Sequence, residues 1–156
     1  MTHASPLDTL ISLTRDARDS ANVKLVELRR ARQEAQVQLE TLQQYRQEYR
    51  EKLQRAMENG IGPDSWRNYQ QFLLSLDGAI DRARKTLQDR ESKLGQGQQH
   101  WQQEQRKLSA YDTLADRREQ REQQRINRRE QRQSDEMASN QLLRRQTQES
   151  RHETSH

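Results

Sequence analysis

The chain has 156 residues, of which 28 are basic and 24 acidic, and only 29% are hydrophobic. That length makes one domain the default, and the near-cancelled net charge of +4 excludes a simple polycation. The low apolar content excludes an ordinary globular core, and the absence of cysteine excludes a disulfide framework or thiolate metal site. Disorder and long helices burying one narrow stripe both fit such a composition. Five glycines and two prolines among abundant Gln, Arg, Glu, Leu and Ala favour helix.

In chain order, residues 1–6 read as a short N-terminal tail. The opening MTHASPLDTL lacks a basic segment followed by a long apolar run, so it is not a secretory signal. No stretch approaches the ~20 apolar residues of a membrane span. A cytoplasmic protein is expected, able to work at a membrane-bound machine.

Residues 7–58 predict the first helix. Leu7, Thr14, Ala21, Leu28, Ala35, Leu42, Tyr49 and Ala56 recur every seventh residue. Four positions on, Ile11, Leu25, Leu39 and Leu53 form a second apolar stripe, interrupted by Arg18, Arg32 and Arg46.

Residues 59–65 predict a hairpin turn. Asn59 and Gly60 tolerate the left-handed conformation that ends helices, Pro63 resists simple continuation, and Asp64 or Ser65 can cap the next helix. Tyr45, Tyr49, Trp66, Tyr69 and Phe72, five of the seven aromatics, flank this turn.

Residues 66–133 predict the second helix. Trp66, Leu73, Ile80, Leu87, Leu94, Trp101, Leu108 and Ala115 make an uninterrupted heptad row, a strong coiled-coil signal. Paired antiparallel about Ile61, Ala56 meets Trp66, Tyr49 meets Leu73, Leu42 meets Ile80, Ala35 meets Leu87 and Ala21 meets Trp101. Large residues then oppose small ones, as a filled seam requires. Gly78, Gly95 and Gly97 each cost ~1 kcal/mol against Ala, which makes LGQGQQHW the expected bend. From about Asp116 the second helix overshoots the first, and residues 134–156 read as a polar, frayed tail. The expected fold is therefore all-α: a long antiparallel two-helix coiled-coil hairpin with a protruding C-terminal helix and a polar tail.

No catalytic or cofactor chemistry stands out. Gly60-Ile61-Gly62 lacks the strand and third glycine of a phosphate loop, and His3, His100, His152 and His156 lack metal-ligand spacing. No cofactor, metal or small-molecule substrate is expected, and a two-helix hairpin offers no deep pocket for one. The product of such a protein is contact.

Two surfaces can make that contact. Gln38, Leu42, Tyr45 and Tyr49 follow a 4-3-4 spacing, and Phe72, Leu76, Ala79 and Ala83 repeat it. These stripes lie side by side near the turn. Hairpin core is one reading of Leu42 and Tyr49. A two-helix seam uses only two positions per heptad, however, so some of Tyr45, Tyr69, Phe72 and Ala79 face solvent and suit a partner. The second surface is Ala115–Gln133, where Arg118, Arg121, Arg125, Arg128 and Arg132 form one basic seam. A solvated face, an acidic protein partner and nucleic acid all remain open for it. Against nucleic acid, bZIP-type basic regions precede their heptads and fork from parallel chains, whereas here the basic segment follows a hairpin.

The segments LDTL at Leu7, LQQYRQEYR at Leu42 and NGIGPDSWRNYQQFL at Asn59 resemble the flagellar export protein family FliJ, over about residues 5 to 130. The resemblance implies a hairpin similar to the central stalk of rotary ATPases. It implies a non-enzymatic adaptor of flagellar type III export and motility. Such an adaptor binds the hexameric export ATPase and regulates it, engages the cytoplasmic domain of the FlhA export gate, and escorts export chaperones at the cytoplasmic face of the inner membrane. It carries the gate-facing surface onto Gln38, Leu42, Tyr45, Tyr49, Phe72, Leu76 and Ala79, with Ala83 a weaker match. By the stalk analogy, Leu13, Arg15, Arg118, Arg121 and Arg125 are candidate contacts of the ATPase ring. The alternatives are a general coiled-coil chaperone or scaffold, or a basic-helix nucleic-acid binder.

Overall fold

A computed structural model describes residues 5–155. Two helices account for nearly all of them: α1, Pro6–Asn59, and α2, Pro63–Glu153. They pack against each other as an antiparallel hairpin, the expected all-α architecture.

Local chemistry sets the helix ends. Ser5 Oγ accepts from the Asp8 amide at 3.2 Å, and Asp8 Oδ2 accepts from the Ser5 amide at 3.2 Å. This reciprocal cap satisfies two donors that a helix start leaves free. Pro6 then occupies the first helical position, where its missing N–H costs nothing. At the other end, Gly60 adopts φ 85° and its amide bonds to the Met57 carbonyl at 3.2 Å. A side chain there would be strained, so the glycine stops α1.

The turn is shorter than expected. Pro63, not Trp66, begins α2, and the Trp66 amide already bonds to the Gly62 carbonyl at 3.1 Å. Gly62 therefore takes the cap position, while Asp64 lies in the first helical turn, favourably placed against the helix dipole. The far boundary also moves: α2 runs past Gln133 to Glu153, through residues expected to form a frayed tail. No Gly or Pro occurs beyond Gly97, and Gln, Arg, Glu, Leu and Ala propagate helix well.

The described residues form two compact units, 12–108 and 5–11 with 109–155. In the 12–108 unit the two expected rows of α1 form the seam: Ala21, Leu25, Ala35, Leu39 and Leu53 are buried there. Leu39 clusters with Ile80 and Ala83, with Leu42 and Leu87 packed against them. On α2 the seam takes a second row that heptad counting from Trp66 did not single out, Tyr69, Leu76, Ala83, Arg90, Gly97 and Glu104. Leu76, Ala83 and Glu104 in it are buried.

Two of the arginines that interrupt the α1 stripe tie the helices together. Arg46 Nε donates to Asp77 Oδ1, and Arg32 pairs with Glu91 at 3.6 Å. The two rungs lie two heptads apart on both helices, so they share one register. Arg46 meets Asp77 within one residue of the alignment that pairs Leu42 with Ile80. Arg18, two heptads before Arg32, instead binds its neighbour Asp19 at 3.1 Å, because Gln105 stands where the rung would need an acid.

The α2 glycines differ in their surroundings. α2 stays helical through Gly78, Gly95 and Gly97. A Cβ on Gly95 would meet nothing within 4 Å, but one on Gly97 would lie 2.5 Å from Leu28 Cδ1. Gly97 leaves the space that Leu28 fills in the seam.

In the second unit, Ile11 is buried, and Leu7, Tyr111 and Ala115 are half-buried. Every residue from Asp116 to Ser155 is exposed. No helix of the described residues is long and apolar enough to cross a membrane.

Candidate functional site

The turn builds the first surface. Tyr49 sits at its centre, with its ring centroid 4.2 Å from Phe72 and 5.2 Å from Tyr69. The planes tilt by 41° and 51°, geometries that aromatic quadrupoles favour over a face-to-face sandwich. Tyr49 and Tyr69 are half-buried, so their rings join the two helices. Tyr45 is 55% exposed, Trp66 44% and Phe72 39%. These three present rings to solvent beside a packed aromatic support.

The residues expected at this surface divide into three groups. Gln38, Tyr45 and Phe72 are exposed, and Leu42, Tyr49 and Ala79 are half-buried. Leu76 and Ala83 are buried, since they belong to the second α2 seam row, three residues beyond Leu73 and Ile80. They hold the helices together beneath the surface and offer a partner little area of their own.

A second face near the turn joins two heptad-row leucines to two residues that the heptad count left out, Met57 and Leu74. Leu53, Met57, Leu73 and Leu74 line an open groove with Arg46, Arg50, Glu51 and Asp77 around it. Leu74 is 69% exposed and Met57 55%. Both stand one residue past a seam position, at Leu73 and Ala56, and that offset was the available signal.

Further along the 12–108 unit, Leu13 is 60% exposed and Arg15 is exposed. In the other unit, Arg118, Arg121 and Arg125 are exposed along α2. Arg121, Arg125, Arg128, Arg129 and Arg132, with Gln124, surround a shallow open concavity. Arg125 grips Glu122 with two bonds, 2.7 Å from Nη2 to Oε1 and 3.2 Å from Nε to Oε2. The hydrogen bond first, and the guanidinium charge second, hold the Glu122 carboxyl below its ordinary range; the same bond and the carboxylate charge raise Arg125. Among the described residues no group of three His, Asp or Glu side chains could hold a metal; His3 and His156 lie outside them.

Comparison with known proteins adds to this geometry. The family model described as "Flagellar FliJ protein" matches residues 3–147. The flagellar FliJ protein of Salmonella typhi is 35% identical over 117 residues, covering 75% of this chain and 80% of its own length. That of Escherichia coli strain K12 is 33% identical over 117 residues, with the same coverage of both chains.

Proposed function

The chain belongs to the flagellar FliJ protein family, and from that premise we propose that it is a non-enzymatic coiled-coil adaptor of flagellar protein export. It couples the hexameric export ATPase to the export gate and escorts export chaperones, at the cytoplasmic face of the inner membrane. The observation that carries this reading is the aromatic tip. Tyr45 and Phe72 stand exposed beside Tyr49, whose ring holds Phe72 at 4.2 Å. Exposed rings on a rigid support bind partners at low entropic cost.

The tip contacts the cytoplasmic domain of the FlhA gate through Gln38, Tyr45 and Phe72, with Leu42, Tyr49 and Ala79 at the edge of the contact. Leu76 and Ala83 contribute by fixing helix spacing. The ATPase contacts are Leu13 and Arg15 on α1, and Arg118, Arg121 and Arg125 on α2. All five are exposed and so available for contact.

The test uses the full-length protein with the purified ATPase and the gate domain, and a DNA duplex as control. Tyr45→Ala with Phe72→Ala is expected to abolish gate binding while helicity by circular dichroism is kept. Arg118, Arg121 and Arg125 changed together to Glu should weaken ATPase stimulation. Unaltered gate affinity in the first variant refutes the tip assignment, and unaltered stimulation in the second refutes the arginine assignment. Binding to duplex DNA tighter than to either protein favours the nucleic-acid reading instead.

A further inference from the structure

The arginine segment continues a seam row that has lost its partner. Within the unit containing residues 109–155, Tyr111 and Ala115 are half-buried, as is Leu7, and Ile11 is buried. α1 begins at Pro6, so past Ala115 it offers nothing more to pack against. One heptad after Tyr111 the row reads Arg118, then Arg125, then Arg132. Arg121 and Arg128 flank it at the same seven-residue period.

Helical geometry separates the charges further. At 3.6 residues per turn, Arg117, Arg118, Arg121, Arg125, Arg128, Arg129 and Arg132 fall within an arc of about 120°. Asp116, Glu119, Glu122 and Glu130 fall within a neighbouring arc of similar width, and Gln and Asn fill most of the rest. Like charges three and four residues apart destabilise a helix standing alone. Of the seven arginines, Arg125 alone forms an ion pair among the described residues, with Glu122 one turn earlier on the same helix, and it holds that carboxylate by two bonds.

We propose that the Arg118–Arg132 stripe is a docking surface for an acidic helix, one whose carboxylates recur at heptad spacing and which extends the coiled coil beyond the end of α1. Two features select this partner. The first is charge complementarity along one face. The second is period: a helix repeating its carboxylates every three and four residues meets successive guanidinium groups in phase, which a phosphate backbone or a lipid surface does not. Paired carboxylates also relieve the repulsion between neighbouring arginines. The inference rests on reading the stripe as a protein contact, but it does not require that the export ATPase supply the helix.

The experiment measures binding of full-length protein to two synthetic helical peptides of identical composition. One carries its glutamates at heptad 3-4 spacing, and the other distributes them around the helix. Duplex DNA and phosphatidylglycerol–phosphatidylcholine vesicles complete the set. The in-phase peptide is expected to bind about tenfold more tightly than its scrambled twin. A variant that keeps net charge but breaks phase, Arg121→Gln with Gln120→Arg and Arg128→Gln with Asn127→Arg, is expected to remove that preference. Circular dichroism checks that helicity is retained. Equal binding of the two peptides, an undiminished preference in the phase variant, or tighter binding to DNA or vesicles overturns the proposal. No ATPase is present, so failure here is distinct from failure of the ring assignment.

Discussion

Replacing Gly97 by Ala sets two effects of similar size against each other, and Gly95 provides the control two residues away. In a helix interior Ala is favoured over Gly by ~1 kcal/mol. At Gly95 a new Cβ meets nothing within 4 Å, so Gly95→Ala is expected to stabilise by about that full amount. At Gly97 the same methyl lies 2.5 Å from Leu28 Cδ1, 3.8 Å from Leu25 Cδ1 and 3.9 Å from Leu28 Cγ. The first contact is well inside van der Waals separation, and overpacking costs roughly 1–3 kcal/mol. The obstructing atom ends a half-buried leucine, which can rotate away at the expense of its seam contacts. The net expectation is therefore between no change and a loss of about 2 kcal/mol. At roughly 2–4 °C per kcal/mol for a chain of this size, melts followed by circular dichroism should separate the two variants by several degrees. In a Leu28→Ala background the clash is gone, and Gly97→Ala should regain ~1 kcal/mol. Equal stabilisation by both substitutions in the unaltered background would refute a seam in which Leu28 fills the space left by Gly97.

Exchanging Arg32→Glu with Glu91→Arg should restore most of the stability that either reversal removes. The pair is part-exposed, so its coupling is expected at ~0.2–1 kcal/mol, read by urea unfolding and diminished by salt. Tyr49→Ala should destabilise by about 2 kcal/mol, combining two ring contacts with partial burial. Tyr45→Ala should stay within ~0.5 kcal/mol, because its ring is exposed, and urea midpoints compare the two. The Glu122–Arg125 pair should make local helicity depend on pH. The Glu122 carboxyl is lowered in the folded helix, so its contribution is complete above the ordinary carboxylate range and is lost as pH falls through the lowered value. Ellipticity against pH should lose that component in Glu122→Gln.

Heptad spacing carried most of the fold. The rows from Leu7 and Trp66, with Gly60 and Pro63 between them, determined two helices, their antiparallel return and a register good to about one residue. That was possible because a narrow apolar stripe with a seven-residue period has few ways to be buried. The arginine stripe was equally visible, since it depends on spacing along a single helix. The exposed tip residues were only partly legible: the stripe of Phe72, Leu76, Ala79 and Ala83 mixes one exposed ring with two buried seam positions. Spacing gives the face of a helix, but which positions on that face are covered depends on the neighbouring helix.

Tertiary packing decided the remainder. Arg32 and Arg46 interrupt an apolar row when read alone, and only the facing Glu91 and Asp77 make them rungs between helices. Gly97 reads as a weak point in a helix until Leu28 is seen beside it. Tyr49 lies in the heptad row and Tyr45 outside it, but only the packed structure shows the first ring wedged against Tyr69 and Phe72 and the second left to solvent. Local propensity and periodicity are properties of one strand of sequence, so they could be read directly. Burial, ion pairing and free volume belong to two helices at once, and they acquire values only when the register between those helices is fixed.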